Sequence, residues 1–365
     1  MNTPTHTGPD PHDPDRTHVT NTLDAARALH AAGLCVIPAA ADGTKAPGTG
    51  RWRDYMTTRP TTEQLHGWFA NGHPGIGIVA GAVSGGVVAL DVEGRAVSEG
   101  VFQRYVELAD NSGLGDVLRS VMGGYTESTA SGGLHLLWRI SDGQGVENRK
   151  LARRPSTPEE LDTWKSGQQE SVDAEHDPEV RAKRQQKLAR ITDGHQLPQT
   201  LIETKSEGGF LVVAPSSGPV HPTGRPWTLQ AGNPADIVTL DRETSDALLE
   251  VARMLDTMPV VEAPSAFNQP AAGTRADGSL SPGDDYEART DWSDILGPHG
   301  WTEVFRSGRT RYWRRPGKRL GISATTGNSP DRDRLFVFTT STEFDSETPY
   351  TKFGAYTLLE HGGDY

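Results

Sequence analysis

Apolar residues along this chain come in short blocks separated by glycine, proline and charge. After Asn21-Thr22, the positions Ala25, Ala26, Leu29 and Ala32 share one face of a predicted helix that stops at Gly33. LCVIPA (34–39) then reads as a short buried strand, and ADGTKAPGTGRW as a loop rich in turn residues. Thr61-Thr62 open a short capped helix in TTEQLHGWFA. GIGIVAG (75–81) and GVVALDVE (86–93) are two short strands joined by a tight turn at Ser84-Gly85. Residues 98–110 carry helical periodicity, and YTESTASGGLHLLWRI ends in a strand. TLIETKSEGGFLVVAPSS (200–217) predicts two more strands around Gly208-Gly209, GRPWTL an edge strand, and 241–258 a helix.

The pattern lapses in three places. Residues 1–18 are Pro, Thr, His and Asp with almost nothing apolar, and are expected to be a disordered tail. Residues 141–198 are highly charged, with Lys183, Arg184 and Lys187 on an exposed helix, and are expected to be an insertion between core strands of a main domain at 19–260. Residues 261–285 are low in bulky apolar residues and rich in Pro, Ala, Gly and Ser, the composition of a flexible linker. Aromatics return from Trp292 onward, so a second small domain is expected at 286–365, mostly strands with a terminal helix.

Composition narrows the choices. A length of 365 residues suits two domains. No apolar run approaches the ~20 residues that cross a bilayer, and the N-terminus lacks the apolar core of a signal peptide. The single cysteine, Cys35, excludes an intramolecular disulfide and a cysteine-built zinc site, and the expected location is the cytoplasm. A net charge of −12 argues against a general nucleic-acid coat but leaves local patches open.

Candidate chemistry starts at LDVE. Asp91 and Glu93 are two apart in a strand, so both carboxylates leave the same face and repel unless a cation lies between them. A divalent cation with oxygen ligands answers that repulsion; a strand end running into solvent is the alternative. Glu203 in TLIETK offers a third acid for a two-metal cluster with ions ~3.5–4 Å apart, or pairs with a surface cation such as Lys205 on the same strand face. Gly132-Gly133 would let a nucleotide approach the backbone, Ser131 and the glycine amides would bond phosphate oxygens, and His135 would donate to the same phosphates. A purely structural histidine is the alternative. GIGIVAG lacks the spacing of a dinucleotide fingerprint and is followed by a strand, which argues against NAD or FAD. FRSGRTRYWRRPGKR (305–319) interleaves Tyr312 and Trp313 with seven cations and no acid; it suits single-stranded DNA, or a solvated hairpin whose aromatics are core.

Taken in order, these pieces form a recognisable series: the strand Gly33-Leu34-Cys35-Val36-Ile37-Pro38, the Lys45-Ala46-Pro47 turn with nearby Trp52, GIGIVAG, LDVE, SGGLH and IETKSEGGFLVVAPSS. The series resembles the bifunctional DNA primase/polymerase N-terminal family, the prim-pol branch of the archaeo-eukaryotic primase superfamily, over about residues 20–230. No one motif is specific; order and spacing carry the match. The resemblance implies an α+β fold, with an RNA-recognition-like antiparallel or mixed sheet beside an N-terminal α/β unit, followed here by a small C-terminal α+β domain. It implies template-directed nucleotidyl transfer from nucleoside triphosphates on a single-stranded DNA template. By position, Asp91, Glu93 and Glu203 match the family's Mg²⁺- or Mn²⁺-binding acids, His135 its phosphate-binding histidine, and Lys205 and Lys45 its basic contacts to phosphate, nucleotide or template. The expected setting is phage, plasmid or integrated-element replication in a bacterial host. No G-x-x-x-x-G-K-[ST] motif is present, so a separate replicative helicase is the expected partner. The stretch from Trp292 resembles C-terminal segments that accompany such proteins, with Arg309, Arg311, Trp313, Arg314 and Arg315 as candidate DNA contacts. A two-metal nuclease and a catalytically inactive DNA-binding or replication-initiator module remain as rivals.

Overall fold

The computed structural model describes residues 21–192, 194–259, 282–328, 332–339, 341–346 and 348–364. The expected tail at 1–18 lies outside these residues, as does the expected linker from 261 to 281; residues 282–285 instead open a helix.

The chain begins with α1 (Thr22–Ala31), whose Leu23, Ala26 and Leu29 are buried, and β1 (Cys35–Pro38). Helix α2 (Thr62–Phe69) starts at Thr61, which forms a capping box with Gln64. Strands β2 (Ile76–Val79) and β3 (Val87–Val92) follow. They do not pair as a hairpin. After a short turn of helix at Ala82–Ser84 the chain changes sheets, so β2 joins β1 while β3 becomes central in a larger sheet. The helix expected at 98–110 is two, α3 (Gly94–Ser98) and α4 (Val101–Asn111). A third, α5 (Gly115–Gly124), was not apparent from the sequence, because two glycines end it and glycine is a poor helix former.

Strands β4 (Tyr125–Ser128) and β5 (Leu134–Ile140) form a hairpin. Strand β6 (Lys150–Pro155) corrects the expected insertion: it pairs with the core sheet, and its Leu151 and Ala152 are buried. Two helices, α6 (Pro158–Asp173) and α7 (Pro178–Ala189), form the exposed part, before β7 (Pro198–Lys205) returns to the sheet. The chain changes sheets again into β8 (Phe210–Val213), then adds β9 (Thr228–Gly232), β10 (Thr239–Leu240) and α8 (Arg242–Arg253).

The large sheet runs β6-β7-β3-β5-β4-β9, with β10 parallel to one end of β5; the small sheet is β1-β2-β8. Alternation in β3 sorts the two cores. Val88, Leu90 and Val92 face a layer built from α4, α5 and α8. Val87 and Ala89 face the small sheet, with Ile76, Ile78 and Leu211. Asp91 continues that second face, where the apolar cover ends. The fold is α+β, as expected.

The C-terminal unit comprises α9 (Pro282–Arg289), α10 (Trp292–Leu296), an antiparallel sheet of β11 (Thr302–Ser307), β12 (Thr310–Arg314), β13 (Ala324–Thr326), β14 (Leu335–Val337) and β15 (Pro349–Tyr350), and α11 (Lys352–His361). It docks on α8, the helix layer on the far side of the large sheet from Asp91: Lys318 pairs with Glu250, and Arg319 with Glu243 at 3.1 Å.

Candidate active site

Strand register assembles the site. Lys150 on β6 stands opposite Glu203 on β7, Glu203 opposite Asp91 on β3, Asp91 opposite His135 on β5, and His135 opposite Glu127 on β4. Directly paired residues share a face, so one transverse row carries cation, acid, acid, imidazole and acid. Glu93, two residues along β3, joins the row's acidic part. Its amide still bonds Leu201 O across to β7, which holds it in line beyond the strand's last residue.

Carboxylate oxygens of Asp91, Glu93 and Glu203 lie within 4.8 Å of one another, all three half-buried. His135 Nε2 is 3.5 Å from Asp91 Oδ1, and its Nδ1 is 2.7 Å from Glu127 Oε1. Burial disfavours the imidazolium, but Asp91 and Glu127 outweigh it and lift the His135 pKa to about 10. Burial likewise disfavours the Asp91 anion, and His135, Lys205 and Lys45 outweigh it, so this carboxyl sits below its ordinary range. Glu93 goes the other way: burial, then the charges of Asp91 and Glu203, push it up. Crowded oxygen donors with one carboxylate resisting ionisation suit a hard divalent cation, which would relieve the repulsion.

Cations border the acids. Lys205 Nζ is 2.7 Å from Glu203 Oε1, the expected same-face pair. Lys45 is exposed on its loop, in the left-handed region at φ 58°, and its charge reaches Asp91 and Glu93. His221 and Arg225, which the sequence reading did not single out, lie on the loop before β9; His221 is held below its ordinary pKa by burial and then by Lys45 and Arg225.

Ser131-Gly132-Gly133 forms the β4–β5 turn beside this row, but the glycines serve the fold first. The Gly132 amide bonds Thr129 O and the Gly133 amide bonds Thr129 Oγ1, so neither is free for phosphate as expected. A Cβ on Gly133 would stand 2.2 Å from Val92 O, so the turn needs glycine to pack on the end of β3. Gly132 needs glycine for its φ of 86°. The exposed Ser131 hydroxyl lies 3.0 Å from Thr129 Oγ1 at the turn's rim.

Glu127 was missed. Its signal was faint but present: an acid at period two with an apolar-facing Tyr125, eight residues before His135. A hairpin centred on the Ser131 turn places the two opposite each other.

The basic run at 305–319 is placed elsewhere. Trp313 is buried, with Nε1 donating to Thr326 Oγ1 at 3.0 Å. Arg311 is buried above the Trp313 ring and bonds Asp291 Oδ1 at 2.7 Å and Glu303 Oε2 at 2.8 Å. Arg314 bonds Gly321 O at 2.8 Å and Ser112 O at 3.4 Å, reaching the end of α4. Arg315 bonds Pro316 O at 3.0 Å, and Arg309 lies on the exposed β11–β12 turn. The run is a structural hairpin and docking face, and Arg311, Trp313, Arg314 and Arg315 each bond within the protein.

A match to the family described as bifunctional DNA primase/polymerase, N-terminal, spans residues 25–241, more than half of the chain. The chain belongs to that family. A search of curated proteins returns no match. Primase-polymerases of this family are metal-dependent, and DNA and nucleotides are the substrates the family implies. The matched segment contains the whole transverse row and stops at the start of α8, short of the C-terminal unit. Among the described residues no helix is long and apolar enough to cross a membrane.

Proposed function

We propose that this chain is a DNA primase-polymerase, which starts and extends strands on single-stranded DNA by nucleotidyl transfer from nucleoside triphosphates. The observation that carries the reading is the row Glu203–Asp91–His135, with Glu93 alongside: three acids that can share divalent ions, and a fixed cation next to them. Mg²⁺ or Mn²⁺ held by Asp91, Glu93 and Glu203 would polarise a primer 3′-hydroxyl and the attacked α-phosphate. His135 is charged throughout the neutral range and offers its Nε2–H to phosphate oxygens. Lys205 and Lys45 add positive charge near the acids, which favours a triphosphate there. The setting that fits is replication of a phage, plasmid or integrated element, with helicase action from another chain.

Labelled-nucleotide incorporation on unprimed single-stranded DNA tests this. Wild-type protein with Mn²⁺ should yield short products that lengthen with time, and Asp91→Ala and His135→Ala should yield none or traces. Cleavage of the template without triphosphate would identify a nuclease. Template binding with no incorporation by the wild type would identify an inactive binder.

A further inference from the structure

Glu127 is a fully buried carboxylate on β4, one strand in from the edge of the large sheet, and its burial is costly unless its lone pairs find donors. The fold supplies three. Tyr125 Oη donates to Oε2 at 2.8 Å, the Ala214 amide donates to Oε2 at 2.8 Å, and His135 Nδ1 is 2.7 Å from Oε1. The first two hold the carboxylate from both sheets, since Tyr125 is on β4 and Ala214 follows β8 of the small sheet. The third bond is directed at the one ring that borders the acids.

An imidazole can turn about χ2, an exchange that puts Cδ2 in the place of Nδ1 and Cε1 in the place of Nε2. With Nδ1–H fixed by Glu127, that exchange is blocked, and Nε2 is left on the side of Asp91. We propose that Glu127 is a positioning residue for nucleotide binding: it holds the His135 ring by Nδ1 so that Nε2–H meets the phosphates of the incoming nucleoside triphosphate. The inference rests on the primase-polymerase reading for what His135 touches, but not for its geometry. A carboxylate acting through another group in this way resembles the outer partners that orient metal-bound histidines, here applied to a phosphate donor.

The test uses the full chain and the isosteric variant Glu127→Gln, which keeps shape and weakens the charge-assisted bond. Initial rates of single-nucleotide addition to a primed template, across a range of dATP concentrations, should show KM raised about tenfold. The same rates should show kcat within about threefold of wild type. In dATP-binding titrations, which do not need the turnover that His135→Ala abolishes, Glu127→Gln combined with His135→Ala should add nothing to the single loss. An unchanged KM, or losses that add, overturns the proposal, because a merely structural carboxylate would lower active protein without selecting KM. If Glu127→Gln does not fold, Glu127→Asp, which withdraws the carboxylate by one methylene, is held to the same outcomes.

A second readout does not need turnover. In imidazole ¹⁵N spectra, Mg²⁺ with dATP should shift His135 Nε2 in the wild type and shift it much less in the variant. A wild type that binds dATP in this way but never incorporates it sinks the enzymatic reading and leaves the positioning role standing. A His135 resonance indifferent to dATP sinks the positioning role itself.

Discussion

Asp91 stands directly opposite Glu203 across the β3–β7 pair, although 112 positions separate them in sequence. The same residue is opposite His135 on its other side. One aspartate therefore adjoins both an acid and an imidazolium, and a single strand register fixes both relationships. A slip of one residue in β3 would turn Asp91 into the helix layer and bring Leu90 or Val92 beside Glu203 and His135, at the cost of the whole core.

The cluster should register divalent ions as stability. A ligand that binds only the folded state stabilises it by about 2.7 kcal/mol at a hundredfold excess over Kd. Mn²⁺ at millimolar concentration is expected to raise the Tm of the wild type and to leave the Tm of an Asp91→Asn, Glu203→Gln double variant where it was. Equal shifts in both proteins would place the ion elsewhere. Primer extension by the double variant should fall by at least about a hundredfold.

Glu93 gives the opposite sign in the absence of metal. Its pKa is raised in the fold, by burial and by Asp91 and Glu203, so its charge costs stability at neutral pH. Glu93→Gln should therefore stabilise the metal-free protein, on the order of 0.5–1 kcal/mol. The advantage is present above the raised folded pKa and fades as pH falls towards the ordinary value of 4.5, where the native carboxyl is neutral too. Urea melts with EDTA at pH 7.5 and 4.5 measure it, and adding Mn²⁺ should reverse the ranking.

Much of this was legible from residue order. The strands bearing Asp91, His135 and Glu203 are apolar runs with one chemical exception each, and period-two alternation says which face each exception takes. Register between distant strands was not legible, because no local pattern says which residue of 198–205 meets Asp91. For the same reason β6 was hidden: Lys150–Pro155 holds two arginines and a lysine, and only Leu151 and Ala152 are buried. The basic run misled for a different physical reason. Arginines and a lysine with no acid in their own run found them in space: Arg311 at Asp291 and Glu303, Arg319 at Glu243, and Lys318 at Glu250.

Arg314 makes that difference measurable. Its guanidinium ties β12 to Gly321 and to Ser112 at the end of α4. Arg314→Glu should lower Tm by several degrees. It should leave the slope of log K against log salt for single-stranded DNA unchanged, whereas loss of one phosphate contact reduces that slope by about 0.7. A flattened slope with an unchanged Tm would restore the hairpin as a DNA contact.

Arg154 on β6 holds the inserted helices in place through Glu99 on one side and Glu160 of α6 on the other. The hydrogen bonds from Arg154, against a smaller opposing effect of burial, bring the Glu160 pKa down to about 2. A depressed carboxylate contributes stability that is complete above its unfolded value and is lost as pH falls from there through about 2. Glu160→Gln keeps the capping acceptor for the Thr157 amide and removes only the charge. The pair is partly exposed, so solvent screening holds the expected cost to about 1 kcal/mol at pH 7. Denaturant melts should show the two proteins converging as pH is lowered from 5 to 2.5. A constant gap would mean that the carboxylate's charge is not what matters.

Lys318 and Glu250 pose the harder electrostatic question, at the contact between the two units. The lysine side chain is 4% exposed and the glutamate 15%, and Lys318 also donates to Ile322 O at 3.0 Å. Glu250 is nevertheless pushed above its ordinary pKa, because burial outweighs the attraction of Lys318. Attraction that falls short of desolvation makes the pair a poor net stabiliser, yet either partner left alone is worse. Lys318→Met should cost about 3 kcal/mol, since it strands a buried carboxylate. Adding Glu250→Leu should recover most of that loss and bring the double variant to within about 1 kcal/mol of wild type, on either side. The single variant should also gain stability relative to wild type as pH falls towards 5, because lone Glu250 can then take up a proton. Tryptophan-monitored melts of the four proteins close the cycle. A double variant as unstable as Lys318→Met would show that the lysine's packing and its bond to Ile322, not its charge, join the C-terminal unit to α8.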